Sequence, residues 1–145
     1  MTTENTNDIW KKFSFKDEKQ KSALEYLNEF KAGLVSETSG ELTIDVEAVD
    51  AYIDTTPPRL AAIYIFYIVA PKLGNFRKKI LTVAEYSDTG RFPVEIINHF
   101  ADNKKEIIEE ANFNNKIIEI ITNGNVKNSI ENLYQLSKEQ RENEE

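Results

Sequence analysis

The sequence predicts an α+β fold: an antiparallel β-meander of about three strands, packed with an N-terminal helix and C-terminal helices, with an additional short strand or helix at 41–53. Three observations carry this reading. Residues 61–98 hold β-branched and aromatic runs separated by turn-forming residues. Ala23, Leu27, Phe30 and Leu34 recur at helical spacing, and apolar residues in the C-terminal third also follow a helical rather than an alternating period. At 145 residues the chain fits one domain, 1–145, with 40% hydrophobic residues to build its core.

Residues 1–8 are polar and read as a frayed tail. Ser14 and Asp17 resemble a helix entry, Ser14 accepting from an early backbone N–H, so helix 1 is expected at about 15–34 with Gly33 near its end. Residues 35–40 then form a loop. From 41 to 53 the pattern is ambiguous: Leu42, Ile44 and Val46 alternate as in an edge strand, but the alternation fails after Val46, which favours a short helix at 46–53 capped by Asp45. Pro57 and Pro58 end that segment.

The run from Ala61 to Val69 predicts a strand covered at least partly on both faces. Pro71, Gly74 and Asn75 lead to a second strand, Phe76–Tyr86, in which Ile80 and Leu81 are expected on opposite faces. Ser87, Asp88, Thr89 and Gly90 form a turn. A third strand places Phe92, Val94 and Ile96 on one face, and Pro93, which cannot donate to a ladder, argues that it lies at an edge. Asp102 or Asn103 then caps a helix containing Ile107, Ile108 and Ala111, with a kink or new cap at Asn112–Asn115. A further segment ends at Asn123 and Gly124, and Val126, Ile130, Leu133 and Tyr134 mark the last helix. Residues 138–145 read as a second frayed tail.

Composition excludes several kinds of chemistry. Without cysteine there is no disulfide, thiolate nucleophile or cysteine-ligated metal, and His99 is the one histidine. Asp45, Glu47, Asp50 and Asp54 lack the glycine turn of a calcium loop. Gly74 and Gly90 are isolated rather than part of a phosphate-cradling loop, and no glycine-flanked nucleophile surrounds Ser36 or Ser87. No cofactor, metal or catalytic set is therefore implied. The longest apolar run, Leu60–Ala70, is well short of the ~20 residues of a spanning helix, and the start of the chain has no signal-peptide pattern, so the expected location is cytoplasmic.

The net charge of −7 is unevenly distributed: residues 59–93 carry six basic and two acidic side chains, between acidic flanks. Arg59, Tyr64, Tyr67, Lys72, Arg77, Lys78, Lys79 and Arg91 are the candidate interaction residues of this basic, aromatic β region. The expected function is a non-enzymatic protein-interaction or adaptor domain, an inhibitor or immunity-type module among the forms this takes, with a protein partner. Single-stranded nucleic-acid binding, with aromatics stacking bases beside cations, is one alternative. An atypical carboxylate-dependent enzyme built on Glu85 and Glu95 is the other. Homo-oligomerisation through the C-terminal helices is a further alternative, which exposure of Ile117, Ile121, Ile130 and Leu133 would favour and their burial against the meander would leave without an argument.

Overall fold

The computed structural model of the chain describes residues 6–13, 21–53 and 56–143. It is an α+β fold with a five-stranded antiparallel sheet flanked by an N-terminal helix and two C-terminal helices. The strands are β1 (Thr43–Ile53), β2 (Arg59–Ala70), β3 (Phe76–Tyr86), β4 (Val94–Asn98) and β5 (Lys104–Ile108), and their order in the sheet is their order in the chain. Among the described residues four helices accompany them: a single turn, α1 (Thr6–Ile9), which runs into a 3₁₀ turn at Trp10–Lys12, then α2 (Ala23–Thr38), α3 (Glu110–Thr122) and α4 (Gly124–Asn143).

Cross-strand register assigns the paired strand residues to faces. Ile44, Phe66 and Ile68 on β1 and β2, Leu81 and Val83 on β3, and Val94 and Ile96 on β4 all point toward the helices. They meet Ala23 and Leu27 of α2, Phe113, Ile117 and Ile120 of α3, and Val126 and Leu133 of α4 in one buried cluster. Deleting a side chain as large as Phe113 from such a cluster costs about 3–5 kcal/mol. Tyr26, Phe92 and Phe113 add an aromatic cluster with centroids 5.5–6.0 Å apart, and the Tyr26 hydroxyl donates to Glu110 at 2.9 Å. This ties the start of α2 to the start of α3.

Several expectations are corrected. Five strands replace about three. Residues 46–53 are strand, not helix, because β1 pairs with β2 along its whole length from Thr43↔Val69 to Ile53↔Arg59. The alternation fails after Val46 because Ala48 and Asp50 lie beyond the cover of the helices, so their face is exposed although the ladder continues. Lys104–Ile108 is likewise a strand. Asp102 and Asn103 do not cap a helix; both adopt positive φ (51° and 57°) in the turn that closes the β4–β5 hairpin. β4 consequently lies between β3 and β5, and Pro93 is accommodated by preceding the strand rather than by an edge position.

Ile80 and Leu81 do not face opposite ways. Phe66 pairs with Leu81 but Tyr67 with Lys79, so Ile80 is the extra residue of a β-bulge, and both side chains enter the core fully buried. The bulge resets the alternation of β3.

The helices also differ in their limits. α2 runs past Gly33 to Thr38, and Ser39 and Gly40, at φ 51° and 81°, close it through a Gly40 N–H bond to the Val35 carbonyl. Its N-cap is Ser22, which accepts from the Glu25 N–H; the proposed entry at Ser14 and Asp17 lies outside the described residues. α3 continues unbroken through Asn112–Asn115, since Phe113 faces the core and the asparagines face outward. Asn123 breaks the chain between α3 and α4, its carbonyl and side chain accepting from Lys127 and Asn125. α4 extends to Asn143, into the stretch expected to fray, and Asp8 of the other expected tail lies in α1. Ile117 and Leu133 are buried and Ile121 and Ile130 half-buried against the sheet, which removes the ground for oligomerisation through that face.

A polar knot fastens α4. Glu41 is 1% exposed; its carboxylate takes a hydrogen bond from Ser137 Oγ at 2.6 Å and pairs with Lys72 Nζ at 3.0 Å. The knot joins the entry to β1, the β2–β3 connection and the last helix.

Candidate functional site

The register separates the eight candidate residues. Arg59, Tyr67, Arg77 and Lys79 lie on the face of the sheet turned away from the helices, whereas Tyr64 and Lys78 lie on the helix side. Lys72 is in the 3₁₀ turn after β2 and Arg91 in the β3–β4 connection. They do not form one patch.

Most of the cations also have partners within the chain. Arg59 forks onto Asp88, with its Nη2 2.8 Å from the carboxylate, and stacks over Tyr86 at 3.8 Å. The Asp88 hydrogen bond raises the Arg59 pKa, and Asp88 is held below its usual range by the same contact. Arg77 reaches both Asp45 and Glu47 and covers the Tyr67 ring at 4.2 Å. Arg91 pairs with Glu85 at 3.3 Å, Lys78 lies over Phe100, and Lys72 belongs to the Glu41 knot. Tyr64 is raised chiefly by burial, with the Glu85 carboxylate adding to it. Lys79, and Lys105 on the same face, form no ion pair among the described residues.

The carboxylates do not converge either. Glu95 is registered with Ala84, so it and Glu85 project from opposite faces. Glu95 accepts from the Tyr86 hydroxyl at 3.0 Å, while Glu85 Oε2 is buried with no hydrogen-bond partner among the described residues, in a recess of about 380 Å³ shared with Asp50 and Arg91. His99 is held by Thr82 and Asn103, at 2.7 and 2.6 Å. With Asn103 Oδ1 as acceptor, Nδ1 donates and Nε2 accepts from the Thr82 hydroxyl. Among the described residues no cluster of three or more His, Asp or Glu side chains is placed to hold a metal ion. No helix among them is long and apolar enough to cross a membrane.

What the open face does carry is an aliphatic surface. Two adjacent cross-strand rows span all five strands: Val49–Ile63–Ala84–Glu95–Ile107 and Glu47–Ile65–Thr82–Ile97–Lys105. Val49 is 41% and Ile107 63% exposed, and Ile63, Ile65 and Ile97 are half-buried. The central strand contributes only the short side chains Ala84 and Thr82, so a shallow trough follows β3 between the isoleucines of β2 and those of β4 and β5. Tyr67, Arg77 and Lys79 border one end of it.

Val49, Ile97 and Ile107 are not among the residues that the sequence singles out as a site. A signal for the surface is nonetheless present in β2, whose isoleucines at 63 and 65 alternate with the core residues Tyr64 and Phe66. The other half depended on recognising 46–53 and 104–108 as strands. No protein-family model matches the chain, and neither a curated protein nor a solved structure matches it.

Proposed function

We propose that the chain is a non-enzymatic protein-interaction module whose partner seats on the open face of the sheet. The observation that carries this reading is the aliphatic surface formed by Val49, Ile63, Ile65, Ile97 and Ile107, with Tyr67, Arg77 and Lys79 at its border. An apolar centre with a polar rim is the usual anatomy of a protein interface. The fitting partner presents an apolar ridge to the β3 trough and acidic groups to Lys79 and Lys105. Inhibition by covering a partner's working surface, as in an immunity-type module, and assembly as an adaptor both use such a face. The internal pairing of Arg59, Arg77 and Arg91 favours protein over nucleic acid, because those cations would have to give up carboxylates to meet phosphates.

The test compares proteins retained by the wild-type chain with those retained by a Val49→Arg/Ile107→Glu variant, both changes being at exposed positions. Loss of the retained partner at an unchanged urea midpoint supports the reading. Retention with unchanged affinity contradicts it, as does a salt-sensitive shift in RNA mobility that the double variant leaves intact. Lys79→Glu with Lys105→Glu is expected to slow association mainly at low salt.

A further inference from the structure

On the other side of the sheet, the helix layer is not closed. Between α2 and the α3–α4 pair it opens into an apolar cleft of about 520 Å³, floored by Ile44, Phe66 and Ile68 and walled by Phe30, Ile118 and Ile121. That volume falls within the range of small-molecule sites, about 300–1,000 Å³. Gly33 of α2 also faces the cleft. A glycine inside a helix is less favourable than an alanine there. Here neither backbone nor packing requires one: Gly33 is not at positive φ, and a Cβ added to it meets nothing within 4 Å. Its effect is to leave the wall of the cleft open.

The polar groups of the lining limit what fits. Among the described residues, Glu29 and Asn114 are the polar side chains that line it, and no cationic side chain does. Lys21 is bonded to Glu29 and is itself outside the lining. A carboxylate-headed ligand would therefore bring its charge beside Glu29 with no lining cation to receive it, whereas a donor head meets the Glu29 carboxylate and the Asn114 carbonyl.

We propose that this cleft binds a single-chain amphiphile, its apolar tail on Ile44, Phe66 and Ile68 and its uncharged or cationic donor head at Glu29 and Asn114. The site lies across the sheet from the proposed protein-binding face, so either assignment can fail without the other.

The experiment uses the full chain with labelled isoleucine methyls, titrated with octylammonium, octanol and octanoate below their micellar concentrations. Saturable shifts of Ile44, Ile68, Ile118 and Ile121 are expected with octylammonium and octanol, with octanoate about tenfold weaker or worse, a difference of ~1.4 kcal/mol. Gly33→Phe should weaken binding by about tenfold or more, while Gly33→Ala retains it. If Gly33→Phe fails to fold, Ile118→Trp at the half-exposed rim replaces it. The proposal is overturned by equal affinity for octanoate, by no saturable shift with any of the three, or by unchanged affinity in a folded blocking variant.

Discussion

Ser137→Ala should destabilise the fold far more than the loss of one small hydroxyl suggests. Ser137 is fully buried in α4, and its Oγ donates to Glu41 Oε2 at 2.6 Å, while Lys72 Nζ sits 3.0 Å from Oε1. A hydrogen bond to a buried charge contributes about 1.5–3 kcal/mol, because its removal deprives the carboxylate of a donor that water cannot readily replace. The expected cost is therefore about 2 kcal/mol. With a urea m-value of about 2 kcal/mol/M for a chain of this size, the midpoint should fall by about 1 M. Lys72→Met should cost less, about 1 kcal/mol, since the lysine side chain is 38% exposed and its pair is screened by solvent. Because both residues act through one carboxylate, the double variant should depart from additivity by about 0.5 kcal/mol or more. The assay is urea unfolding of the four proteins, followed by fluorescence and circular dichroism. A Ser137→Ala unfolding free energy within about 0.5 kcal/mol of wild type, or strict additivity, would refute the knot as a fastening of α4.

Other outcomes follow from the same packing. Gly33→Ala should raise stability by about 1 kcal/mol and the thermal midpoint by about 3 °C, read by calorimetry; destabilisation would mean that the glycine is structurally required. Phe113→Ala, emptying a fully buried ring position, should cost about 3–5 kcal/mol in urea, and a loss under ~1 kcal/mol would contradict the core assignment. Lys116→Met should show a pH-dependent penalty of about 1 kcal/mol. Glu106 is held below its usual range first by the Lys116 hydrogen bond and then by Lys104, so its contribution is complete above the ordinary carboxylate range and is lost as pH falls through the depressed value, below about pH 4. Lys116 is raised chiefly by Glu106, so its contribution is complete below the ordinary lysine range and is lost as pH rises through the raised value, above about pH 10. A wild-type to variant difference that persists undiminished into strong acid would refute this pairing.

The fold was legible where one residue type dictated local geometry. The β-branched run of β2, the limits of β3 and the Ser87–Gly90 turn follow from side-chain shape and from glycine at φ 85°. It was not legible where long-range pairing overrode the local pattern. The outer half of β1 lacks alternating burial because the helices stop short of it, yet pairing with β2 keeps it extended. Lys104–Ile108 resembles a helix start until Asp102 and Asn103 are seen at positive φ, turning the chain back along β4. The bulge at Ile80 is invisible locally, since either of two adjacent apolar residues can continue an alternation.

The candidate site shows the same division. Tyr67, Arg77 and Lys79 were legible as a charged and aromatic group, and they do share a face. That Arg59, Arg77 and Arg91 would find Asp88, Asp45, Glu47 and Glu85 depends on register, which composition does not contain. The aliphatic rows were hidden for the same reason: Val49 comes beside Ile63, and Ile107 beside Glu95, only once five strands are aligned.

The isoleucines sort by face, which gives the proposed interface its most direct measurement. Once a partner retained by the wild-type chain is in hand, the isoleucine methyl spectrum is recorded with and without it. Shifts confined to Ile63, Ile65, Ile97 and Ile107, with Ile44, Ile68, Ile117 and Ile120 unmoved, are the expected result. Shifts on the helix side, with the open-face isoleucines unchanged, would contradict the assignment of the sheet's open face as the binding surface.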